Sequence, residues 1–301
     1  MIAITGATGF VGSHLLSRLD QLNEPTRALV RNKRNRTLHL PDSTQTIFGS
    51  LEDLGALSKF LDGARACIHV AGATTSLGAN DFHAANVVGT YNMAAGAMAA
   101  GVEHFIYVSS QAAQAPRISD YAASKAIGEI ALRPFDANMK ITIIRPPAVI
   151  GPGDPMLQPM FDLIRLGWLP APAEPKGRTR EFAVISVYDL VSQIIACARA
   201  PENAEPLIEP CSVSSTNWSQ IASVVSEVLE RNVRVLRILP AVMKGAGYCA
   251  DGLAALTRRP LPLSHQKVRE LLAIDWTYDH PARDAMTLKQ MFAACLVDQR
   301  P

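Results

Sequence analysis

The sequence predicts an α/β fold, a doubly wound parallel sheet followed by a smaller C-terminal α/β lobe. Three observations predict it. Short apolar runs alternate with helix-length stretches from residue 1 to about 153. A glycine-rich turn sits directly between the first run and the first helix, and the texture changes after Gly151-Pro152-Gly153, where prolines become frequent. Strands that alternate with helices are joined by crossovers, which builds a parallel sheet covered on both faces.

In order, residues 1–5 read as a strand, 11–22 as a helix and 25–30 as a second strand. A helix over 54–61, a buried strand over 66–71 and an alanine-rich helix over 86–100 follow. Residues 105–109 are a β-rich run, 121–132 a helix and 140–145 another strand. This first lobe is expected to span 1–153. The proline-rich stretch 169–175 cannot continue a helix. A strand-then-helix pattern at 185–200 is expected to rejoin the first lobe, leaving most of 154–301 as the second lobe, with one good amphipathic helix at 218–230.

Of the 301 residues, 48% are hydrophobic and 19% charged, enough apolar material for a large core and too little charge for a disordered chain. A net charge of +2 gives no clustered basic face for nucleic acid. Five scattered cysteines, with no CxxC and no histidine at ligand spacing, read as structural thiols in a reducing compartment, and no metal is implied. The opening Met-Ile-Ala-Ile-Thr-Gly lies inside a strand without a signal-peptide pattern, and no uninterrupted apolar stretch reaches the ~20 residues of a membrane span. A soluble, cytoplasmic protein without a membrane partner is expected.

The turn Gly6-Ala-Thr8-Gly9-Phe10-Val11-Gly12 uses its three glycines for a tight turn, close approach of backbone to a pyrophosphate, and close packing of helix on sheet. The helix N-terminus behind it offers unpaired N–H groups and partial positive charge to phosphates. A Rossmann-type nicotinamide dinucleotide site is therefore expected. After the second strand comes Arg31-Asn-Lys33-Arg34-Asn-Arg36 rather than an acid that would accept ribose hydroxyls. Such a run is either a solvated basic loop or a 2′-phosphate site; NADP(H) is expected in preference to NAD(H).

Tyr121-Ala-Ala-Ser-Lys125 puts a phenol and an ammonium one helical turn apart on one face. A phenol with its usual pKa of ~10 is a poor acid–base group at neutral pH, and a neighbouring cation favours its ionised form. Ser110, after the strand 105–109, supplies a hydroxyl for a substrate carbonyl or alcohol.

Together these segments resemble the extended short-chain dehydrogenase/reductase family, also called the NAD-dependent epimerase/dehydratase family. The resemblance also takes in His69-Val-Ala71-Gly72, Asn86-Val-Val-Gly89-Thr90, Tyr107-Val-Ser-Ser110, Arg145-Pro146 and Ile185-Ser-Val-Tyr-Asp189-Leu. It implies Tyr121 as general acid/base, Lys125 as the group that lowers its pKa and holds the nicotinamide ribose, and Ser110 as the group that polarises the reacting C–O bond. It further implies that Ala71 and Gly72 line the pyrophosphate and ribose, that Pro146–Val149 backbone lies near the nicotinamide, and that Asn86 ties a helix to a neighbouring strand. Ser50-Leu51 stands where the family commonly has Asp-Leu at the adenine, and Gln114-Ala115 replaces a Tyr-Gly near the substrate.

Ser110-Gln111-Ala112 lacks the carboxylates of the family's dehydratases, so dehydration is not expected. Seven residues before Asp189 stands Phe182, where the epimerases place a diphosphate-clamping arginine, although Arg178 and Arg180 lie nearby. The preferred reading is hydride transfer between nicotinamide and a secondary alcohol or ketone, with a small-molecule substrate, as in the dihydroflavonol-reductase-like and hydroxysteroid-dehydrogenase-like members. A nucleotide-sugar epimerase is the nearest alternative; a non-catalytic dinucleotide sensor or assembly subunit is another. Met156, Leu157, Met160, Phe161, Ile164, Trp168 and Leu169 form either an apolar substrate wall or an ordinary core-facing helix. The helices 86–100 and 121–132 are candidate homodimer contacts, or simply pack closely on the sheet.

Overall fold

A computed structural model describes residues 1–31, 40–273 and 275–297. Arg34, with the rest of the basic run after Arg31, lies outside the described residues.

The described chain divides into two compact units. The first comprises Met1–Arg145 and Val191–Ile208, the second Pro146–Leu190 and the described residues from Glu209 onward. The first unit begins β1 (Ile2–Thr5), α1 (Phe10–Gln21), β2 (Thr26–Val30), β3 (Thr44–Phe48), α2 (Leu54–Leu61) and β4 (Ala66–His69). A short α3 (Ala79–His83) and a π-helical turn (Ala84–Val88) lead into α4 (Gly89–Ala99). Then come β5 (His104–Val108), a 3-10 turn (Gln111–Gln114), α5 (Asp120–Ile130) and β6 (Lys140–Ile144). The second unit opens with β7 (Ala148–Ile150), α6 (Gln158–Arg165), β8 (Trp168–Pro172) and β9 (Phe182–Ser186). Helix α7 (Val187–Arg199) returns the chain to the first unit, where β10 (Leu207–Ile208) completes the sheet. The second unit ends with β11 (Val213–Thr216), α8 (Trp218–Val228), β12 (Arg234–Ile238), α9 (Pro240–Thr257), α10 (His265–Leu272) and α11 (Leu288–Leu296).

The seven-stranded sheet runs β10-β6-β5-β4-β1-β2-β3, every pair parallel. The strand order reverses at β1, so the C-terminal ends of β1 and β4 flank the crevice where such sheets bind ligands. Every residue of β4 and β5 is buried, because helices cover both faces of a parallel sheet. Helix α1 lies on it through Leu15, Leu16 and Leu19, one stripe at helical spacing. Each of those leucines contributes about 1.5–3 kcal/mol by leaving water. Phe60, Phe105 and Tyr107 sit at the centre of the core around α2, α4 and β5.

The structure departs from the sequence expectation at several elements. Strand β3, Thr-Gln-Thr-Ile-Phe, was not anticipated: it alternates weakly and is fixed by pairing with β2 along its whole length. The helix expected over 86–100 begins with the π turn. The proline-rich stretch contains β8, paired in parallel with β12 alone; in a two-stranded sheet both strands are edges, where proline's missing donor is tolerated. Beyond α8, the C-terminal region holds three further helices, α9, α10 and α11.

The apolar run at 156–169 is largely core. Phe161, Ile164 and Leu169 are fully buried beside Val225 and Phe292, with Leu157 and Met160 packed against them, whereas Trp168 is exposed. Phe161, Ile164 and Leu169 thus follow the second reading, a core-facing helix and strand, rather than a wall open to substrate.

Candidate active site

The glycine turn brings the backbone of β1 against that of β4. Gly6 has φ +71°, and a Cβ there would lie 2.6 Å from the Ala71 nitrogen. A Cβ on Gly12 would lie 2.1 Å from the Gly6 carbonyl oxygen, which already accepts the Gly9 N–H at 2.9 Å. Side chains at either position would force the turn open. Gly9 caps α1 without a side-chain hydrogen bond, and the first turn holds no acid. Its N–H groups and dipole are thus left for an anion, the requirement of a dinucleotide pyrophosphate. Thr8 and Gly9 are exposed on this turn, while Phe10 and Val11 are half-buried behind it.

A buried polar chain joins the two strand ends. Thr90 Oγ1 donates to the Asn86 carbonyl at 2.8 Å, so it accepts from His69 Nε2 at 3.2 Å. His69 Nδ1 then accepts from Thr5 Oγ1 at 2.7 Å, and that oxygen accepts from Ala71 N at 3.2 Å. Burial, helped by the Lys125 charge, pulls His69 down to about 3, so the ring stays neutral and serves as a fixed strut. Asn86, itself fully buried, accepts from Ala73 N at 2.7 Å and donates to Ala73 O at 3.0 Å and Ser124 Oγ at 2.9 Å. It therefore holds the segment carrying Ala71 and Gly72 to α5.

Helix α5 starts at Ser119, whose side chain accepts from Ala122 N. It presents Tyr121, Lys125 and Glu129 at i, i+4 and i+8. Lys125 is only 4% exposed. Its Nζ donates to Val108 O at 2.8 Å and Tyr107 Oη at 3.4 Å, and it stands 4.7 Å from the Tyr107 ring centre. Burial lowers Lys125 to about 8, with Glu129 opposing the shift. Burial also pushes Tyr107 well above its usual range, so it stays a neutral phenol. Tyr121 is half-buried, its ring 5.9 Å from that of Phe82. Ser110, half-buried after β5, accepts from Ala112 N at 3.2 Å, which leaves its O–H able to donate.

Glu129 was missed in the sequence. It receives Arg145 Nε at 2.9 Å and Nη2 at 2.6 Å, and Ser109 Oγ at 2.5 Å. This bidentate pair fastens α5 to the ends of β5 and β6, the two strands beneath Ser110 and Lys125. The signal was available: Glu129 continues the Tyr121–Lys125 spacing on a helix with few other polar groups. His69 and Thr90 stand within motifs of the resemblance, but their pairing gave no signal in the sequence, since it joins β4 to α4 over 21 residues.

Arg31 is exposed immediately after β2. Ser50 and Leu51 follow β3; the Leu51 carbonyl accepts from Asn92 Nδ2 at 3.0 Å. Pro146 opens the second unit, and Val149 lies in β7, paired with Ile185. Arg180 is buried, donating to Ala173 O at 2.8 Å and Leu272 O at 3.2 Å, and Arg178 pairs with Asp275 at 3.5 Å. All five cysteines are free thiols, and among the described residues no cluster of His, Cys, Asp or Glu could hold a metal.

Comparison with known proteins places this arrangement. Residues 2–206 match the pattern of the NAD dependent epimerase/dehydratase family. A ceramide reductase of Caulobacter vibrioides (strain NA1000 / CB15N) is 34% identical over 278 residues, 92% of this chain and 86% of that relative. A 4-hydroxy-2-methyl-3-oxo-4-farnesyl-3,4-dihydroquinoline-1-oxide ketoreductase of Stigmatella aurantiaca is 31% identical over 182 residues, 54% of each protein. Among solved structures, gox2253 shares the fold with a TM-score of 0.70 at 21% identity, covering 97% of both chains. A dinucleotide cradle, a Tyr-Lys helix and these relatives lead to one conclusion: the chain belongs to the NAD dependent epimerase/dehydratase family, the extended short-chain dehydrogenase/reductase enzymes.

Proposed function

We propose that the chain is an NADPH-dependent reductase of a ketone on a long-chain, lipid-like substrate. The observation that carries this reading is the extent of the similarity to the ceramide reductase, which runs through 92% of the chain and so through both units. The buried position of Arg180 adds to it. An arginine held by two backbone carbonyls inside its own unit is a poor diphosphate clamp, which weighs against the epimerase alternative.

Bound nicotinamide would supply the hydride. Tyr121 would give its phenolic proton to the carbonyl oxygen as the carbon is reduced, leaving an alcohol. Lys125, still protonated at neutral pH, would stabilise the resulting phenolate and hold the nicotinamide ribose. Ser110 would donate to the same carbonyl oxygen, because its own oxygen is already engaged by Ala112 N. Gly6, Thr8, Gly9, Phe10, Val11 and Gly12 would hold the pyrophosphate, with Ala71 and Gly72 beside it and Ser50 and Leu51 at the adenine. Arg31 and Arg34 would meet a 2′-phosphate, the basis for NADP(H) over NAD(H). Backbone at Pro146 and Val149 would border the nicotinamide. The five free thiols fit a reducing, cytoplasmic setting. Tyr91, Met98, Ile127 and Ile130, exposed on α4 and α5, would form a homodimer contact.

The test is consumption of NADPH with long-chain ketones offered in detergent micelles. Turnover is expected with these ketones. Interconversion of nucleotide-sugar epimers without net nicotinamide change would reject the proposal in favour of the epimerase.

A further inference from the structure

Helix α9 inverts the polarity of an ordinary surface helix. Over Pro240–Thr257 it carries two charged side chains, Lys244 and Asp251. Its inner side packs on α10: Gly247 and Ala254 are buried, and a Cβ on Gly247 would lie 2.8 Å from His265 Cα. Asp251 belongs to this side, accepting from the backbone N of His265 at 3.1 Å and its Nδ1 at 2.5 Å. The opposite arc, at about 100° per residue, collects Val242, Gly245, Cys249, Gly252, Leu253 and Leu256 without one charged group. All six are exposed, Leu256 to 83%. A helix facing water normally turns its charges outward, and a continuous exposed apolar strip marks a contact surface.

The rim of the strip selects what covers it. Arg258 and Arg259, at the end of the strip, are exposed and form no ion pair among the described residues, whereas Lys244 lies on the side of Asp251, about 20° from it around the helix. Arg258 ends the helix at φ 51°, which sets two consecutive cations at the end of the strip. With Asp251 turned toward His265, the charges that border the end of the strip are the two arginines. A second α9 packed parallel on the first would bring the arginines together, and one packed antiparallel would set them against the Pro240 end, which carries no acid, while Asp251 is held by His265. An anionic bilayer satisfies both features: acyl chains take the leucines, and headgroup phosphates take the bases.

We propose that α9 docks this protein on an anionic lipid bilayer, lying in the interface with Leu253 and Leu256 inserted and Arg258 and Arg259 on the headgroups. The contact spans nothing, since among the described residues no helix is long and apolar enough to cross a membrane. It departs from the sequence expectation of no membrane partner, because that expectation weighed only spanning segments. The contact is carried by α9 alone and does not rest on the identity of the substrate.

The full chain is cosedimented with phosphatidylcholine vesicles, with and without phosphatidylglycerol. Phosphatidylglycerol should tighten binding about tenfold, and added salt should reverse the gain. Leu253→Glu with Leu256→Glu should weaken binding to the mixed vesicles at least about tenfold. Arg258→Glu with Arg259→Glu should abolish the preference for phosphatidylglycerol. An unchanged melting temperature and unchanged NADPH binding show that each variant is folded. Absence of wild-type binding to the mixed vesicles, or equal binding by the leucine variant, overturns the proposal. So does a wild-type dimer that the leucine variant dissociates while neither binds vesicles; that result would assign the strip to a second copy. A chain that binds vesicles yet reduces no ketone would reject the substrate reading and leave the docking surface standing.

Discussion

Helices α5 and α9 are both rich in small residues, and each breaks the rule of apolar core and polar surface, in opposite senses. Helix α5 turns Lys125 and Glu129 inward, whereas α9 turns Leu253 and Leu256 outward. The difference lies in what compensates. The buried charges of α5 have partners within the chain: Val108 O for Lys125, and Arg145 with Ser109 for Glu129. The leucines of α9 stay largely exposed, with no core cluster among the described residues to receive them. Sites that violate a local rule are compensated inside the fold or by something bound to it. On this view α5 is a preorganised chemical site, and α9 is a surface completed by an external partner.

Four variants of the first unit test that contrast, taken from the largest effect to the smallest. Tyr121→Phe should lower kcat by about three orders of magnitude, with NADPH affinity within about twofold of wild type, as expected for loss of a general acid alone. Stopped-flow turnover and fluorescence titration separate the two quantities. Glu129→Ala leaves Arg145 without its carboxylate and should destabilise the protein by about 3 kcal/mol in urea unfolding. If Glu129→Ala unfolded like wild type, α5 would not depend on this internal pair.

Lys125→Met probes the buried cation through pH. The folded-state value of about 8 lies below the ordinary 10.5, so below pH 8 lysine is charged in both states and the full burial penalty is present. Between about 8 and 10.5 the folded state loses its proton first, and the penalty fades as pH rises. The methionine variant should therefore exceed wild type by on the order of 2–3 kcal/mol at pH 7 and lose most of that advantage by about pH 10. Thermal melts across that range check it, and the variant should be inactive at every pH. Arg31→Asp should shift the preference from NADPH toward NADH by about tenfold in kcat/KM, since it exchanges a phosphate partner for a ribose partner.

The two helices also differ in how far the sequence revealed them. Tyr121 and Lys125 could be proposed as an acid–base pair from spacing alone because they lie on one element, one turn apart. The glycine turn was legible for the same reason: its demands are local to Gly6 and Gly12 and the short segment between them. The supports of the site were not. His69 meets Thr5 on the neighbouring strand and Thr90 on α4, and Glu129 meets Arg145 from a different element, so their roles exist only once helices and sheet are assembled. Phe161, Ile164 and Leu169 fit a substrate wall and a core equally well until Phe292 and Val225 closed over them. For α9 the leucines were visible, but the face they occupy was set by Gly247 packing against His265.

The central claim, hydride transfer to a carbonyl carbon with Tyr121 as proton donor, is tested most directly by isotope transfer. NADPH carrying deuterium as its transferable hydrogen is incubated with the enzyme and a long-chain ketone, and the product is analysed by mass spectrometry. The account predicts one deuterium at the new carbinol carbon with wild type and almost none with Tyr121→Phe. Deuterium retained on the nicotinamide, or an alcohol formed equally by both proteins, would contradict it.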